Sequence, residues 1–89
     1  MAEGTVTDPP YVLRLTTALA SALPDAEIDH EKVRTDRYRL IVVSNSFENK
    51  GHPERQRLVW DIADGVLDKD DLMRVSMILT IAPTEIPDE

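Results

Sequence analysis

The chain is predicted to fold as an α+β domain in the order α-β-β-α-β, with a three-stranded mixed sheet and its helices on one face. Three observations predict it. Segments 12–23 and 58–66 repeat apolar residues at three- and four-residue steps, as amphipathic helices do. Segments 26–31, 37–44 and 75–81 instead alternate or run continuously apolar and β-branched, as strands do. At 89 residues the chain has length for one core, since a domain this small buries only about 60 to 65% of its unfolded surface. Three strands and two amphipathic helices most simply make one sheet covered on one side, leaving the other face open.

Residues 1–8 are small and polar and are expected to form a flexible tail, before a single domain at 9–86 and a short tail at 87–89. Asp8 before Pro9-Pro10 marks the start of the first helix. An aspartate oxygen accepts from free amides of the first turn, and proline lacks the amide that would be left unpaired there. Val12, Leu15, Leu19, Ala22 and Leu23 form its buried stripe, which Leu23-Pro24-Asp25 ends. Ala26, Ile28 and His30 then alternate with Glu27, Asp29 and Glu31, one weakly apolar face against one acidic face, the pattern of an edge strand. Segment 37–44 has a continuous β-branched centre and is expected to be the central strand. Arg34-Thr35-Asp36 is short enough to join the two as a hairpin.

Segment 45–51 is turn-rich, and His52-Pro53-Glu54 opens the second helix with proline near its first position and a carboxylate where the helix dipole favours it. Leu58, Val59, Ile62, Ala63 and Val66 make its apolar face, while Arg55, Arg57, Asp61 and Asp64 are expected toward solvent. Trp60, off that stripe, either completes the core at the helix flank or stands as an interface anchor. Gly65 weakens the end of the helix, Asp68-Lys69-Asp70-Asp71 is expected as a capped turn, and 75–81 is the third strand.

Composition excludes several functions. A net charge of −7 opposes non-specific attraction to phosphate backbones and anionic lipid. The absence of cysteine removes disulfides, thiolate metal sites and a cysteine nucleophile. Ser44 and Ser46 have no neighbouring histidine or strained elbow motif, and Gly4, Gly51 and Gly65 are too dispersed for a phosphate loop. No enzyme is expected. Asp68, Asp70 and Asp71 lack the glycine and distant glutamate of a calcium loop and read as solvated caps. His30 and His52 are too far apart in sequence for a metal-ligand spacing, so no metal site is expected. Residues 1–8 lack a basic start and an apolar core, and no apolar run approaches the roughly 20 residues of a bilayer helix. The chain therefore reads as intracellular, cytoplasmic and without a membrane partner.

Charge is unevenly placed: residues 34–57 sum to +3 and the remainder to −10. One reading is a basic patch open to an acidic partner or a nucleic-acid backbone, with Arg37, Arg39, Lys50, Arg55 and Arg57 as the nucleic-acid contacts. The other is neutralisation by the chain's own carboxylates.

The stretch from Tyr38 to Lys50, reading Tyr-Arg-Leu-Ile-Val-Val-Ser-Asn-Ser-Phe-Glu-Asn-Lys, followed by Arg55-Gln56-Arg57-Leu58-Val59-Trp60, resembles the BolA-like family. There a strand of the type hydrophobic-Val-Ser-x-x-Phe-x-Gly-Lys runs into a helix carrying Arg-His-Arg, two apolar residues and an aromatic. Met77-Ile78-Leu79-Thr80-Ile81-Ala82-Pro83-Thr84-Glu85 is similar to the family's last strand and its Thr-x-Thr-Pro-Glu-Glu ending. The resemblance spans about residues 10–86 and implies a fold similar to class II K-homology domains.

It also implies a non-enzymatic adaptor or regulator, in stress response through transcription or in iron-sulfur homeostasis beside a monothiol glutaredoxin. In the second role a histidine at the start of the last strand supplies a ligand to a shared [2Fe–2S] cluster. Here that position is Arg74, or Ser76 if the strand is shifted, and the middle of Arg-His-Arg is Gln56. Arginine keeps its proton and serine is a poor iron ligand, and Arg34-Thr35-Asp36 offers no second ligand. Weak or no cluster ligation, and no cofactor of the chain's own, is therefore expected. The expected partner contacts are Lys50, His52, Arg55, Arg57 and Arg74, on a monomer or weak homodimer. The alternative is a nucleic-acid-binding transcriptional regulator. K-homology domains grip nucleic acid through a Gly-x-x-Gly loop, whereas Glu48-Asn49-Lys50-Gly51 offers one glycine and a competing carboxylate.

Overall fold

The computed structural model describes residues 9–86. The tails expected at 1–8 and 87–89, and Asp8 with them, lie outside those residues. Helix α1 (Pro10–Ala22) starts on Pro9, which stands at the N-cap without a side-chain hydrogen bond. Its stripe is Val12, Leu15 and Leu19, continued by Leu23, all buried. Ala22 is exposed, contrary to the sequence reading, and Tyr11 is buried in addition. Ala22 lies on the same side of the helix as Leu15, seven residues earlier, and is exposed because it is the last residue of α1.

Strands β1 (Glu27–Arg34) and β2 (Arg37–Val43) form the expected antiparallel hairpin around Thr35-Asp36, with Ile28 opposite Val42 and His30 opposite Leu40. Strand β3 (Val75–Ile81) runs parallel to β2, so the sheet is mixed and its order is β1-β2-β3. A parallel neighbour needs a crossover, and the segment between β2 and β3 provides it: a 3-10 turn at Asn45–Phe47, helix α2 (His52–Val66) and helix α3 (Lys69–Arg74). The short α3 stands where a capped turn was expected. Asp68 accepts from the Asp71 amide at 2.9 Å and nucleates a further turn of helix.

Tyr38, Leu40 and Val42 of β2 are buried, as are Val75, Ile78 and Thr80 of β3, and these positions face the helices. A register shift between Tyr38 and Arg39 lets Val75 and Ile78 share that face, with Ser76 as the extra residue and its Oγ 3.3 Å from the Tyr38 carbonyl. Of the expected apolar face of α2, Val59 and Ala63 are buried, while Val66 is exposed. Leu58, Ile62 and Trp60 are partly buried against the core, which makes Trp60 flank packing.

Arg39, Ile41 and Val43 point to the opposite face of the sheet, beside Met77, Leu79 and Ile81. No helix of the described residues covers it, and none is long and apolar enough to cross a membrane.

Candidate functional site

The turn after β2 carries one core side chain, Phe47, yet side-chain hydrogen bonds hold it from four sides. Asp25, just past α1, accepts from the Ser44 hydroxyl at 2.8 Å and from the Asn45 amide at 2.7 Å. The Asn45 amide first and the Ser44 hydroxyl second hold the Asp25 carboxyl below the usual carboxylate range. Ser44 Oγ in turn accepts from the Ser46 amide, capping the 3-10 turn. Lys50 Nζ donates to the Ser46 carbonyl at 2.9 Å, and Glu48 accepts from both the amide and the hydroxyl of Thr84. Asn49 adopts a positive φ of 65°, a conformation asparagine tolerates better than most residues. The segment thereby turns into Gly51, the N-cap of α2.

Arg55 anchors this arrangement. Its Nε donates to the Lys50 carbonyl at 2.8 Å, Nη1 to the Thr80 carbonyl at 3.3 Å, and Nη1 and Nη2 to the two Glu85 oxygens at 2.8 and 2.7 Å. The guanidinium lies 5.9 Å from the centre of the Phe47 ring. Glu85 also accepts from the Ala82 amide at 3.0 Å. The Arg55 hydrogen bonds first and the Ala82 amide second bring the Glu85 carboxyl down to about 2.

Arg55 is therefore buried, at 5% exposure, where the sequence reading put it toward solvent and among the partner contacts. It sits one and two helical repeats ahead of Val59 and Ala63, on the buried stripe, and burial is tolerated because four of its five N–H donors are taken and its charge is paired with Glu85. Spacing from Val59 was the signal that its charge obscured. Gln56, the middle of Arg-x-Arg, has a comparable role: Nε2 donates to the Ile78 carbonyl at 2.9 Å, and Oε1 accepts from Trp60 Nε1 at 3.0 Å. Arg55 and Gln56 thus occupy carbonyls of Thr80 and Ile78 along the free edge of β3, which blunts that edge toward strand pairing.

The other expected contacts divide between two ends of the sheet. Lys50, His52 and Arg57 lie at the entrance to α2, where His52 and Arg57 are exposed and Lys50 is half-buried. Arg74 ends α3 and donates to Asp71, which also pairs with Arg14. It lies beside Val75, the partner of Tyr38, and so near Arg37 and Arg39 at the start of β2. Arg39 pairs with Glu31 across the hairpin. Since β2 runs from Arg37 to Val43, roughly 20 Å of extended chain separates the two ends. The basic residues of 34–57 do not form one patch.

The corner at Arg74 and Ser76 does not suit a [2Fe–2S] cluster. The Arg74 guanidinium is ion-paired with Asp71, the Ser76 hydroxyl donates to a backbone carbonyl, and neither is a donor that iron selects. His30 packs at 6.0 Å against the Tyr38 ring, on β1, and His52 stands in the first turn of α2. Among the described residues no group of three or more histidine, aspartate or glutamate side chains is arranged to hold a metal ion.

A three-stranded β1-β2-β3 sheet with β3 parallel to β2, backed by α1 and α2, is the fold of BolA domains. The chain superposes on the BolA domain of SufE1 from Arabidopsis thaliana with a TM-score of 0.69 and 22% identity, covering 90% of this chain and all of that one. It superposes on BolA1 from Arabidopsis thaliana with a TM-score of 0.66 and 20% identity, over 90% of this chain and 100% of that chain. A bol-like protein from Babesia bovis matches at 0.56 and 19%, over 93% of each chain. No family model and no curated protein matches the sequence. The resemblance carried by 38–60 and 77–85 is thus borne out by the fold.

Proposed function

We propose that this chain is a non-enzymatic, BolA-like adaptor of the cytoplasm that binds another protein through the entrance of α2 and the turn before it. The observation that carries the reading is the hold of Asp25, and of Arg55 fixed in turn by Glu85, on residues 44–51, a turn that reaches the surface at Asn45, Asn49 and Gly51. Pre-ordering a surface turn lowers the entropy lost when a partner docks on it. Arg57 stands exposed and Lys50 half-buried beside that turn, two cations that can meet carboxylates of an acidic protein surface, with His52 exposed between them.

The resemblance supports a monothiol glutaredoxin as partner, in iron-sulfur homeostasis or stress response, with the glutaredoxin supplying the cluster ligands. The division of the arginines between two ends of the sheet disfavours the nucleic-acid reading, which needs a continuous basic track.

Titrating the isotopically labelled chain with a monothiol glutaredoxin, without and with iron and glutathione, tests this. Amide shifts concentrated in 44–57 are expected. Absence of any shift rejects the glutaredoxin reading, and an unchanged visible circular dichroism spectrum of the glutaredoxin cluster at excess adaptor rejects cluster sharing.

A further inference from the structure

The uncovered face of the sheet combines two rows of different chemistry. Met77 and Leu79 of β3 are 44% and 38% exposed, and Ile41 and Val43 of β2 are half-buried beside them. Glu27 and Asp29 border that apolar strip on β1, opposite Val43 and Ile41. Glu31, next in the acidic row, is paired with Arg39, whereas neither Glu27 nor Asp29 makes an ion pair or a side-chain hydrogen bond among the described residues. Glu27, Asp29, Ile41 and Val43 line a depression of about 160 Å³ on this face.

We propose that this face docks a basic amphipathic helix of a partner protein, separately from the α2 entrance. Its apolar stripe lies along β2 and β3, and its lysines or arginines meet Glu27 and Asp29. The geometry is matched: residues two apart on a strand are about 6.6 Å apart, and residues four apart on a helix rise about 6 Å. A helix carrying cations at i and i+4 along the strand direction therefore reaches both carboxylates. The depression takes the aliphatic stem of one such side chain over Ile41 and Val43 while its head pairs with a carboxylate at the rim. A second copy of this chain is a poorer occupant, because it brings the same acidic row and a net charge of −7 against its own kind.

The probe is a synthetic 18-residue helix of leucine and lysine, leucines on one face and lysines spaced i, i+4 at its border, titrated into the labelled chain. A peptide of equal composition with its lysines distributed around the helix is the control. Expected are shifts at Asp29, Ile41 and Leu79, and affinity at least about tenfold weaker for the control and for Glu27→Lys with Asp29→Lys. The pair Asp61→Lys with Asp64→Lys, exposed on α2, is expected to leave affinity unchanged. Equal loss from both charge reversals, or shifts confined to the helical side, overturns the proposal, since the attraction is then only that of net charge. Light scattering that shows a dimer abolished by Leu79→Gln overturns it as well, in favour of a second copy.

Discussion

Arg55 and Glu85, thirty residues apart in sequence, meet fork to fork, with Nη1 2.8 Å from Oε1 and Nη2 2.7 Å from Oε2. The pair joins the first turns of α2 to the segment after β3, and through Arg55 Nε it also fixes the Lys50 carbonyl in the turn between β2 and α2. Bidentate geometry gives direction as well as attraction, so one contact orients three pieces of backbone. The candidate surface is consequently set by groups beneath it.

Arg55→Lys is expected to loosen that surface although it keeps the charge, because an ammonium cannot donate in a planar fork. Amide hydrogen exchange in 44–51 should accelerate strongly and the thermal midpoint should fall, while exchange in β1 changes little. Unchanged exchange in the turn contradicts the role given to the guanidinium.

Acid should weaken the protein through Glu85. Its carboxyl titrates near 2 in the folded chain against an ordinary value of 4.5. The unfolded state therefore binds more protons between those values, and stability falls as pH drops through that window. Above about pH 5 this group contributes its full share and the dependence is flat. Asp25 adds a decline of the same sign. Urea midpoints measured from pH 7 to 2 should show the decline, and Glu85→Gln should be less stable at neutral pH with a shallower slope in acid.

Gly65→Ala should stabilise the chain by about 0.5 to 1 kcal/mol, since alanine costs less backbone entropy than glycine in a helix. Gly65 lies in the last turn of α2 without a positive φ, and beyond its chain neighbours and the backbone of its own helix a Cβ there would meet no heavy atom within 4 Å. A lower midpoint in chemical denaturation would contradict the open space at this position.

Tyr11→Phe should be neutral or stabilising by up to about 1 kcal/mol, because removing a buried, unpaired hydroxyl relieves a desolvation cost. The Tyr11 hydroxyl is buried and has no hydrogen-bond partner among the described residues, and the ring packs edge-on to Tyr38 at 6.2 Å. Burial also pushes its phenol pKa up. A marked loss of stability in the phenylalanine variant would mean that the hydroxyl is bonded in solution.

Local pattern made much of this legible. The hairpin, the central position of β2 and the bounds of β3 follow from period-two alternation and β-branched residues, which report a backbone conformation residue by residue. The starts of α1 and α2 follow from proline placement. Short helix α3 did not follow, because Asp68-Lys69-Asp70-Asp71 has no apolar period to distinguish a capped turn from a capped helix of six residues.

Sequence alone determined the order of helices and strands, since each follows from residue type and spacing along one segment, and the residues at 74 and 76 that depart from the family resemblance. Tertiary structure decided which charges are on the surface. A charge is read as solvent-facing unless its counter-charge is seen, and for Arg55 that counter-charge is Glu85, brought across only when β3 has paired with β2. The same pairing carries Arg74 and Lys50 to opposite ends of the sheet, a separation that summing charge over consecutive residues does not register.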